Sequence, residues 1–352
     1  MTATVSAEVF ADRLFQSSLQ AIDVLATYLG DRLGWYRALA EGGPATPAEL
    51  TERAGGSARY AREWLEQQAA TGVLAVEPEG RFSLASGPAE VLTNGDSLSY
   101  LAPLARMIGA AATQLPALLS AYRSGGGVSW DDYGQDMRES QADMNRPWFR
   151  HELAGALAKV PEVHAVLSRP DALIADVGCG AGWSSLALAA AYPQASVEGW
   201  DIDEPSIDMA RANAAADGLG GRVTFTAADA RSLGGQSYDA LFAFECVHDM
   251  PRPVEVLAEM RRAVKPDGVV VIMDEAVSDA FNGPADDLDR LMYGFSLLVC
   301  LPDGMSSPPS AGTGTVMRPD TLREYAKQAG FRDVTVLPTG EFGFWRFYQL
   351  VV

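Results

Sequence analysis

The run at residues 172–183, ALIADVGCGAGW, constrains the fold of this chain more than any other stretch. An apolar segment of strand character at 173–177 leads into the glycine-rich turn at 178–182, and a helical run at 183–192 follows. Glycines permit a turn that side chains would block, and they let a ligand lie against bare backbone. The unpaired N–H groups at the start of the helix favour an anionic or polar group. We interpret this strand, turn and helix as a nucleotide-type cofactor site.

Strands and helices alternate from residue 171, which is typical of a parallel sheet. We predict strands at 172–177, 196–201, 223–227, 238–244 and 268–275, and helices near 183–192, 205–216, 254–264 and 319–328. Residues 279–316 interrupt the alternation with a helix around 285–299 and a Pro/Gly/Ser-rich loop at 301–314, which is expected to be a lid or disordered. Segments 334–337 and 344–351 would form a closing antiparallel pair.

The region before this sheet predicts a winged helix over residues 1–95. Residues 6–40 are helical in pattern, and Thr46, Pro47 and Glu49 form a helix-start signature. A second helix from Ser57 to about Thr71 and two short strands at 73–76 and 81–84 complete the pattern. A stripe of apolar residues along the first helix predicts a homodimer interface: Val9, Phe10, Leu14, Leu19, Ile22, Leu25 and Leu29.

Charge argues against nucleic acid as the partner of this winged helix. The whole chain has a formal net charge of -19, and residues 1–95 contain 12 acids against 7 arginines. The second helix carries Arg59 and Arg62 but also Glu63 and Glu66, and phosphate neutralisation needs more positive charge than this. We therefore interpret the domain as a packing or dimerisation module, with a DNA-binding regulator as the alternative.

Residues 96–168 are predicted to be a helical connector that covers the substrate pocket. Its segment 128–150 is aromatic and rich in methionine, yet heavily polar. One interpretation is a helix that packs on the next domain, and the other is a pocket wall, because pockets mix aromatic side chains with a few polar groups. The candidate substrate residues point to a flat or apolar small molecule: Trp130, Tyr133, Trp148, Phe149, Met292, Tyr293 and Phe295.

Acidic residues follow the predicted strands at positions that suit an adenosyl cofactor. Asp201 ends the second strand, 19 residues after Gly182, where a carboxylate can accept from both ribose hydroxyls. Asp229 ends the third strand and can accept from an adenine amino group. The rival cofactor is NAD, but its fingerprint is G-x-G-x-x-G, whereas the spacing here is G-x-G-x-G.

The motif set DVGCGAG, WDID, AADA and VKPDGVVVIMDE resembles the class I S-adenosylmethionine-dependent methyltransferases over residues 170–352. With the winged helix in front, the chain resembles bacterial small-molecule O-methyltransferases. The resemblance implies an α/β fold, with a Rossmann-like seven-stranded sheet and a catalytic domain at 169–352 that carries the insertion 279–316. It also implies S-adenosyl-L-methionine as the cofactor, bound through Asp176, Gly178, Gly180, Gly182, Asp201, Ile202, Asp229, Ala230 and Glu245.

The run Cys246–Asp249 looks like the His-Asp motif that carries the catalytic base in plant-type O-methyltransferases. We predict His248 as the general base, Glu275 as the carboxylate that orients it, and Asp249 as a contact to substrate or histidine. The sequence after Asp249 departs from the plant pattern. A helix-capping histidine, an acceptor that needs no base, and a cofactor-binding protein that does not methylate therefore remain alternatives.

The three cysteines, Cys179, Cys246 and Cys300, are far apart and show no metal or disulfide spacing. We therefore predict no metal site and a reducing cytoplasm, although His248 and Asp249 could supply two ligands. The N-terminus does not resemble a signal peptide, and no stretch approaches the roughly 20 apolar residues of a membrane span.

Overall fold

The computed structural model describes residues 5–234 and 237–352. The chain divides into two compact units, the first comprising residues up to Ala112 with Glu139–Met144, and the second Thr113–Arg138 with Asn145–Val352. The predicted connector 96–168 is therefore shared between the two units, and its pocket-covering role stays a prediction. Within the described ranges, no helix combines the length and apolar character that a membrane crossing requires.

The first unit confirms the predicted winged helix. Its elements are α1 (Ala7–Arg32), α2 (Trp35–Gly42), α3 (Pro47–Ala54), α4 (Ala58–Ala70), β1 (Leu74–Glu77), β2 (Arg81–Leu84), α5 (Ser86–Thr93) and α6 (Ala102–Thr113). The expected capping box starts α3, because Thr46 N donates to Glu49 Oε2 at 2.7 Å and Glu49 N donates to Thr46 Oγ1 at 3.3 Å. β1 and β2 pair as the antiparallel wing.

Helix α1 is unusual because almost none of its apolar surface is covered. Only Ala26 and Gly30 are buried in its 26 residues. The exposed apolar side chains lie along its length: Val9, Phe10, Leu14, Phe15, Leu19, Ile22, Leu25 and Leu29. Burial of such side chains is the main favourable contribution to folding and association, so this surface favours a partner.

A seven-stranded sheet organises the second unit, with the order β5-β4-β3-β6-β7-β9-β8. The strands are β3 (Leu173–Val177), β4 (Ser196–Asp201), β5 (Val223–Ala227), β6 (Tyr238–Phe244), β7 (Val264–Glu275), β8 (Asp333–Val336) and β9 (Trp345–Val351). β3 to β7 pair in parallel, and β9 runs antiparallel to both neighbours. This arrangement confirms the predicted Rossmann-like fold.

The helices of the second unit are α7 (Leu115–Ser124), α8 (Trp130–His151), α9 (Leu153–Ala158), α10 (Pro161–Leu167), α11 (Trp183–Ala191), α12 (Glu204–Ala216), α13 (Pro253–Ala263), α14 (Asp287–Phe295), α15 (Leu301–Met305) and α16 (Pro319–Gln328); part of α8 belongs to the first unit. Several predicted bounds differ from the structure by a residue, and two differ by more. β7 begins at Val264 instead of residue 268. The expected helix at 285–299 is α14 followed by a π-helix at Ser296–Cys300, and α15 occupies the start of the predicted loop.

Every residue of β6 is buried, because helices cover both faces of the sheet. One apolar cluster packs on each face, one including Leu186 and Phe242 and the other Leu257 and Ile272. The carboxyl ends of parallel strands meet at one edge of a sheet, which is where ligands bind in open α/β folds. The candidate site is assembled along this edge.

Candidate functional site

The glycine turn after β3 uses its three glycines for different physical reasons. All three have positive φ, at +70° for Gly178, +51° for Gly180 and +80° for Gly182. A Cβ at Gly178 would lie 2.6 Å from Cys246 Sγ, and one at Gly182 would lie 2.7 Å from the ring of Phe225. Among the described residues, apart from its chain neighbours, no atom lies within 4 Å of a Cβ built at Gly180. The turn is therefore packed on two sides and open at its middle, where a ligand can approach the backbone.

Two carboxylates flank this turn, the buried Asp176 and the half-buried Asp201. Asp176 Oδ2 accepts from Ser184 Oγ at 2.6 Å and Ser185 Oγ at 2.5 Å, while its buried Oδ1 has no hydrogen-bond partner among the described residues. Burial raises the pKa of Asp176 to about 6. Asp201 Oδ2 accepts from Gly180 N at 2.8 Å, so the carboxylate that ends β4 also fixes the turn.

The residues predicted for adenine differ in their surroundings. Ile202 is 74% exposed, which leaves its apolar side chain open to a flat ring. Asp229 is engaged by Arg231: its Oδ1 accepts from Arg231 N at 2.8 Å, and its Oδ2 accepts from Nη2 at 2.6 Å. These hydrogen bonds to Arg231 lower the pKa of Asp229. Ala230 is buried beneath the same turn.

Glu245 follows β6 with a φ of +50°, which is rare for a residue with a side chain. Its carboxylate accepts from Asn145 Nδ2 and from Trp345 Nε1. Burial raises the pKa of Glu245 to about 7, despite these two donors. Strained backbone together with a buried carboxyl group is common at functional sites.

His248 lies at the same edge and is only 3% exposed. Its Nδ1 is 2.7 Å from Asp274 Oδ1 and 3.2 Å from Glu275 Oε2. Its Nε2 is 3.2 Å from Asp249 Oδ1. The predicted Glu275 and Asp249 are therefore both beside the imidazole, but the shortest contact to Nδ1 comes from Asp274, which the sequence analysis did not name.

The charges around His248 determine its protonation. Burial opposes the imidazolium, but the charges of Asp249, Asp274 and Glu275 outweigh burial and raise the pKa of His248 well above its usual value. Burial also acts on the two β7 carboxyl groups. Burial raises the pKa of Glu275, and the charge of Asp274 raises it further. At Asp274 the imidazolium charge outweighs burial, so the pKa of Asp274 is lowered. The physically consistent state is an ionised Asp274 that accepts from Nδ1–H beside a protonated Glu275.

Further polar groups lie near the imidazole of His248. Cys300 Sγ, a carboxylate oxygen of Asp249 and a ring nitrogen of His248 lie within 4.8 Å of one another, an arrangement that could also hold a metal ion. Thr315 is 2% exposed, and its Oγ1 is buried without a hydrogen-bond partner among the described residues. Cys300 ends the π-helix, and insertions of this kind are frequent at functional sites.

The aromatic residues predicted to bind substrate are spread over several environments. Phe149 packs on Phe244 in the core with ring centroids 5.5 Å apart, and Trp148 packs on Trp345 at 5.7 Å. Tyr133 Oη donates to Leu298 O at 2.6 Å. Of the others, Met292 is buried, Trp130 and Phe295 are half-buried, and Tyr293 is 39% exposed. Their role in substrate binding stays a prediction.

Sequence reasoning missed a positioning chain behind Asp201. Arg138 is buried and donates to Asp203 through Nε and Nη2, both at 2.7 Å. Asp203 N in turn donates to Asp201 Oδ1 at 2.9 Å. Only the D-x-D pattern at 201–203 hints at this arrangement, and nothing local identifies its arginine partner 65 residues earlier.

Comparisons with known proteins agree with this geometry. Residues 174–268 match the family model described as "Methyltransferase domain", and residues 21–94 match "Rv2258c-like winged HTH domain". Methyltransferase GfsG of Streptomyces halstedii is 34% identical over 128 residues, which cover 36% of this chain and 44% of that relative. This chain thus spans less than half the length of that curated relative.

Solved structures share the fold over nearly the whole chain. The mitomycin 7-O-methyltransferase MmcR superposes with a TM-score of 0.73 at 21% identity, covering 98% of both chains. Human N-acetylserotonin methyltransferase, solved with S-adenosylmethionine, gives a TM-score of 0.72 at 18% identity and covers 100% of this chain and 99% of its own. The chain therefore combines a region that matches a winged helix-turn-helix model with a region that matches a methyltransferase domain model, on a fold that it shares with solved methyltransferases.

Proposed function

We propose that this chain transfers the methyl group of S-adenosylmethionine to a hydroxyl oxygen of a small molecule, with His248 as the general base. The observation that carries the proposal is the buried imidazole at the cofactor edge, whose Nδ1 is held by Asp274 at 2.7 Å. The names of two proteins with the same fold, a mitomycin 7-O-methyltransferase and an N-acetylserotonin methyltransferase, support a small acceptor.

The residues at the turn fit this cofactor. The open face of Gly180 accommodates a ligand against the backbone, and the unpartnered Asp176 Oδ1 suits the cofactor's ammonium group. Asp201 lies where ribose hydroxyls are expected, and exposed Ile202 offers a surface for adenine. When bound, S-adenosylmethionine supplies an electrophilic methyl group attached to a sulfonium.

His248 would act through Nε2. Because Asp274 accepts from Nδ1–H, the neutral ring keeps its lone pair on Nε2, where it can take a proton from an acceptor hydroxyl. The imidazolium that forms is then stabilised by the ionised Asp274. A positioned general base contributes about 10²–10⁴-fold to a rate. Asp249, whose Oδ1 is 3.2 Å from Nε2, would contact the ring or the acceptor.

Two variants test this proposal against a matched control. His248→Gln should bind S-adenosylmethionine with unchanged affinity by calorimetry, while its turnover falls about 10²–10⁴-fold. Turnover is measured as release of S-adenosylhomocysteine with a panel of hydroxylated aromatic compounds. His151→Gln, an exposed change of the same type, should have normal turnover. Unchanged turnover of His248→Gln would rule out the base, and no cofactor binding by the wild type would rule out the function.

We also propose that the first unit mediates a homodimer and does not bind DNA. The exposed apolar face of α1 would be buried by a second copy. On α4, Arg59 pairs with Glu63 at 2.6 Å and Arg62 with Glu66 at 3.8 Å. Because both arginines face a carboxylate, this helix offers little net charge to a phosphate backbone.

A further inference from the structure

Arg138 joins two carboxylates through one guanidinium group. Its Nε donates to Asp203 Oδ2 and its Nη2 to Asp203 Oδ1, both at 2.7 Å, and Nη2 also donates to Asp131 Oδ1 at 2.7 Å. Burial opposes the ionisation of Asp203, but hydrogen bonds from Arg138 and Ser206 outweigh burial and lower the pKa of Asp203. The contact between Arg138 and Asp203 is therefore a charged, two-pronged bridge, a geometry for which arginine is better suited than lysine.

One end of this bridge leads to the carboxylate that is expected to bind the ribose. Asp203 N donates to Asp201 Oδ1 at 2.9 Å, and Gly180 N donates to Asp201 Oδ2 at 2.8 Å. Ribose hydroxyls that donate to Asp201 would restrain the same carboxylate. They would thereby restrain the backbone that presents the Asp203 side chain to Arg138.

The other end of the bridge leads to a segment whose position is not fixed by helical geometry. α8 is broken at Gly134, whose φ of +72° and ψ of -163° are non-helical, so the first turn of α8 is separate from the rest of the helix. Val128 N, just before this turn, donates to Pro302 O at 3.0 Å. Trp130 N donates to Asp303 Oδ1 at 2.7 Å. The first turn is therefore held by contacts with α15.

α15 also contacts the loop that carries His248. A Cβ at Gly304, in α15, would lie 3.0 Å from the backbone oxygen of Asp249, so the two backbones are close together. The contacts therefore run from Asp201 through Arg138 and the first turn of α8 to the loop that carries the proposed base.

We propose that Arg138 and Asp131 are positioning residues that couple cofactor binding at Asp201 to the order of residues 127–133. This inference rests on the proposed function, in which Asp201 binds the ribose. A bound cofactor restrains Asp201 and Asp203, Arg138 transmits the restraint to Asp131, and the first turn of α8 is held against α15. The part of the site around the proposed base is then complete only after the cofactor has bound, so the acceptor should bind second.

Hydrogen exchange tests this coupling without an identified acceptor. The full chain is measured with and without saturating S-adenosylhomocysteine, whose binding is established by calorimetry. The readout is the exchange rate of the Val128 and Trp130 amides, the two donors that hold the segment to α15. Coupling between two sites typically changes an equilibrium about 5- to 150-fold, so exchange at these amides should slow by a factor in this range.

Two variants break the bridge at different places. Asp131→Ala removes a carboxylate whose side chain is 82% exposed, so it should fold and bind S-adenosylhomocysteine but lose most of the slowing. Arg138→Gln should lose the slowing as well. Arg323→Gln is the matched control, because it removes an exposed arginine that pairs with Asp320 at 2.7 Å on α16, and it should keep the slowing.

Each result separates this inference from the proposed function. Slowing in the wild type and the control that both bridge variants lose supports the inference. If the wild type binds S-adenosylhomocysteine and the two amides exchange at an unchanged rate, the inference is overturned while the cofactor site stands. Slowing that survives in either variant also overturns it, and Asp131→Ala alone decides if Arg138→Gln does not fold. A wild type that does not bind S-adenosylhomocysteine overturns both the proposed function and the inference.

Discussion

Two of the three glycines in the turn after β3, Gly180 and Gly182, should respond differently to alanine. Gly180→Ala should weaken S-adenosylmethionine binding with a small loss of stability, whereas Gly182→Ala should mainly destabilise the fold. The reason is that a Cβ at Gly180 meets no atom within 4 Å in the described ranges, chain neighbours aside. A Cβ at Gly182 would lie 2.7 Å from the Phe225 ring and 2.9 Å from Ala210 Cβ. Gly218→Ala is the matched control, because its φ of +68° is similar and its Cβ also meets open space.

The magnitudes follow from strain and packing. A side chain in the left-handed region costs about 1–2 kcal/mol, and this should be the whole destabilisation for Gly180→Ala and Gly218→Ala. Gly182→Ala adds an overpacked contact that typically costs about 1–3 kcal/mol, giving a total of about 2–5 kcal/mol. If the cofactor lies against Gly180, the same overpacking term appears in binding as a Kd increase of about 5- to 150-fold.

Urea unfolding of the cofactor-free protein measures the stability differences, and calorimetry measures the Kd for S-adenosylmethionine. If Gly180→Ala binds the cofactor as tightly as Gly218→Ala does, the cofactor does not lie against Gly180. If Gly182→Ala is no less stable than Gly218→Ala, the contact of an added Cβ with Phe225 has no measurable cost, and the expected difference is refuted.

Three further predictions follow from the site and from α1. Asp274→Asn should lower kcat about 10²–10⁴-fold with unchanged cofactor affinity, because His248 loses the partner that keeps the proton on Nδ1. Glu275→Gln should have the smaller effect, and steady-state kinetics with both variants checks this order. The neighbouring carboxylates raise the pKa of His248, so kcat should rise with pH through a limb above pH 6.5. Asp249→Asn should move that limb of the pH–rate profile to lower pH, and a limb that stays in place contradicts His248 as the base. If the proposed homodimer forms through α1, Leu14→Asp should yield a monomer in analytical ultracentrifugation, and a wild-type monomer at all concentrations would refute the interface.

Much of the catalytic unit follows from sequence alone because its signals are local. The bounds of β4, β5 and β6 match the predicted strands at 196–201, 223–227 and 238–244. Short apolar runs that end at acidic residues specify both the strand and the edge of the sheet that carries the site. The glycine turn likewise needs only its own residues and the strand before it.

The parts that could not be predicted depend on contacts distant in sequence. β7 is buried on both faces toward its end, so no alternation shows whether Asp274 or Glu275 lies closest to His248. Cys300 reaches the imidazole only because a π-helix interrupts the predicted helix at 285–299. The link from Arg138 to Asp203 joins residues 65 positions apart, and no local pattern encodes it.

The exposed face of α1 has a consequence for stability measurements. A helix with two buried residues out of 26 gains little from its own chain, and helices in proteins are stabilised mainly by tertiary packing. If a second copy covers this face, part of the folding free energy is that of a bimolecular association. The melting temperature then rises with protein concentration, so a single Tm does not characterise this protein, and dilution itself acts as a denaturing condition for α1.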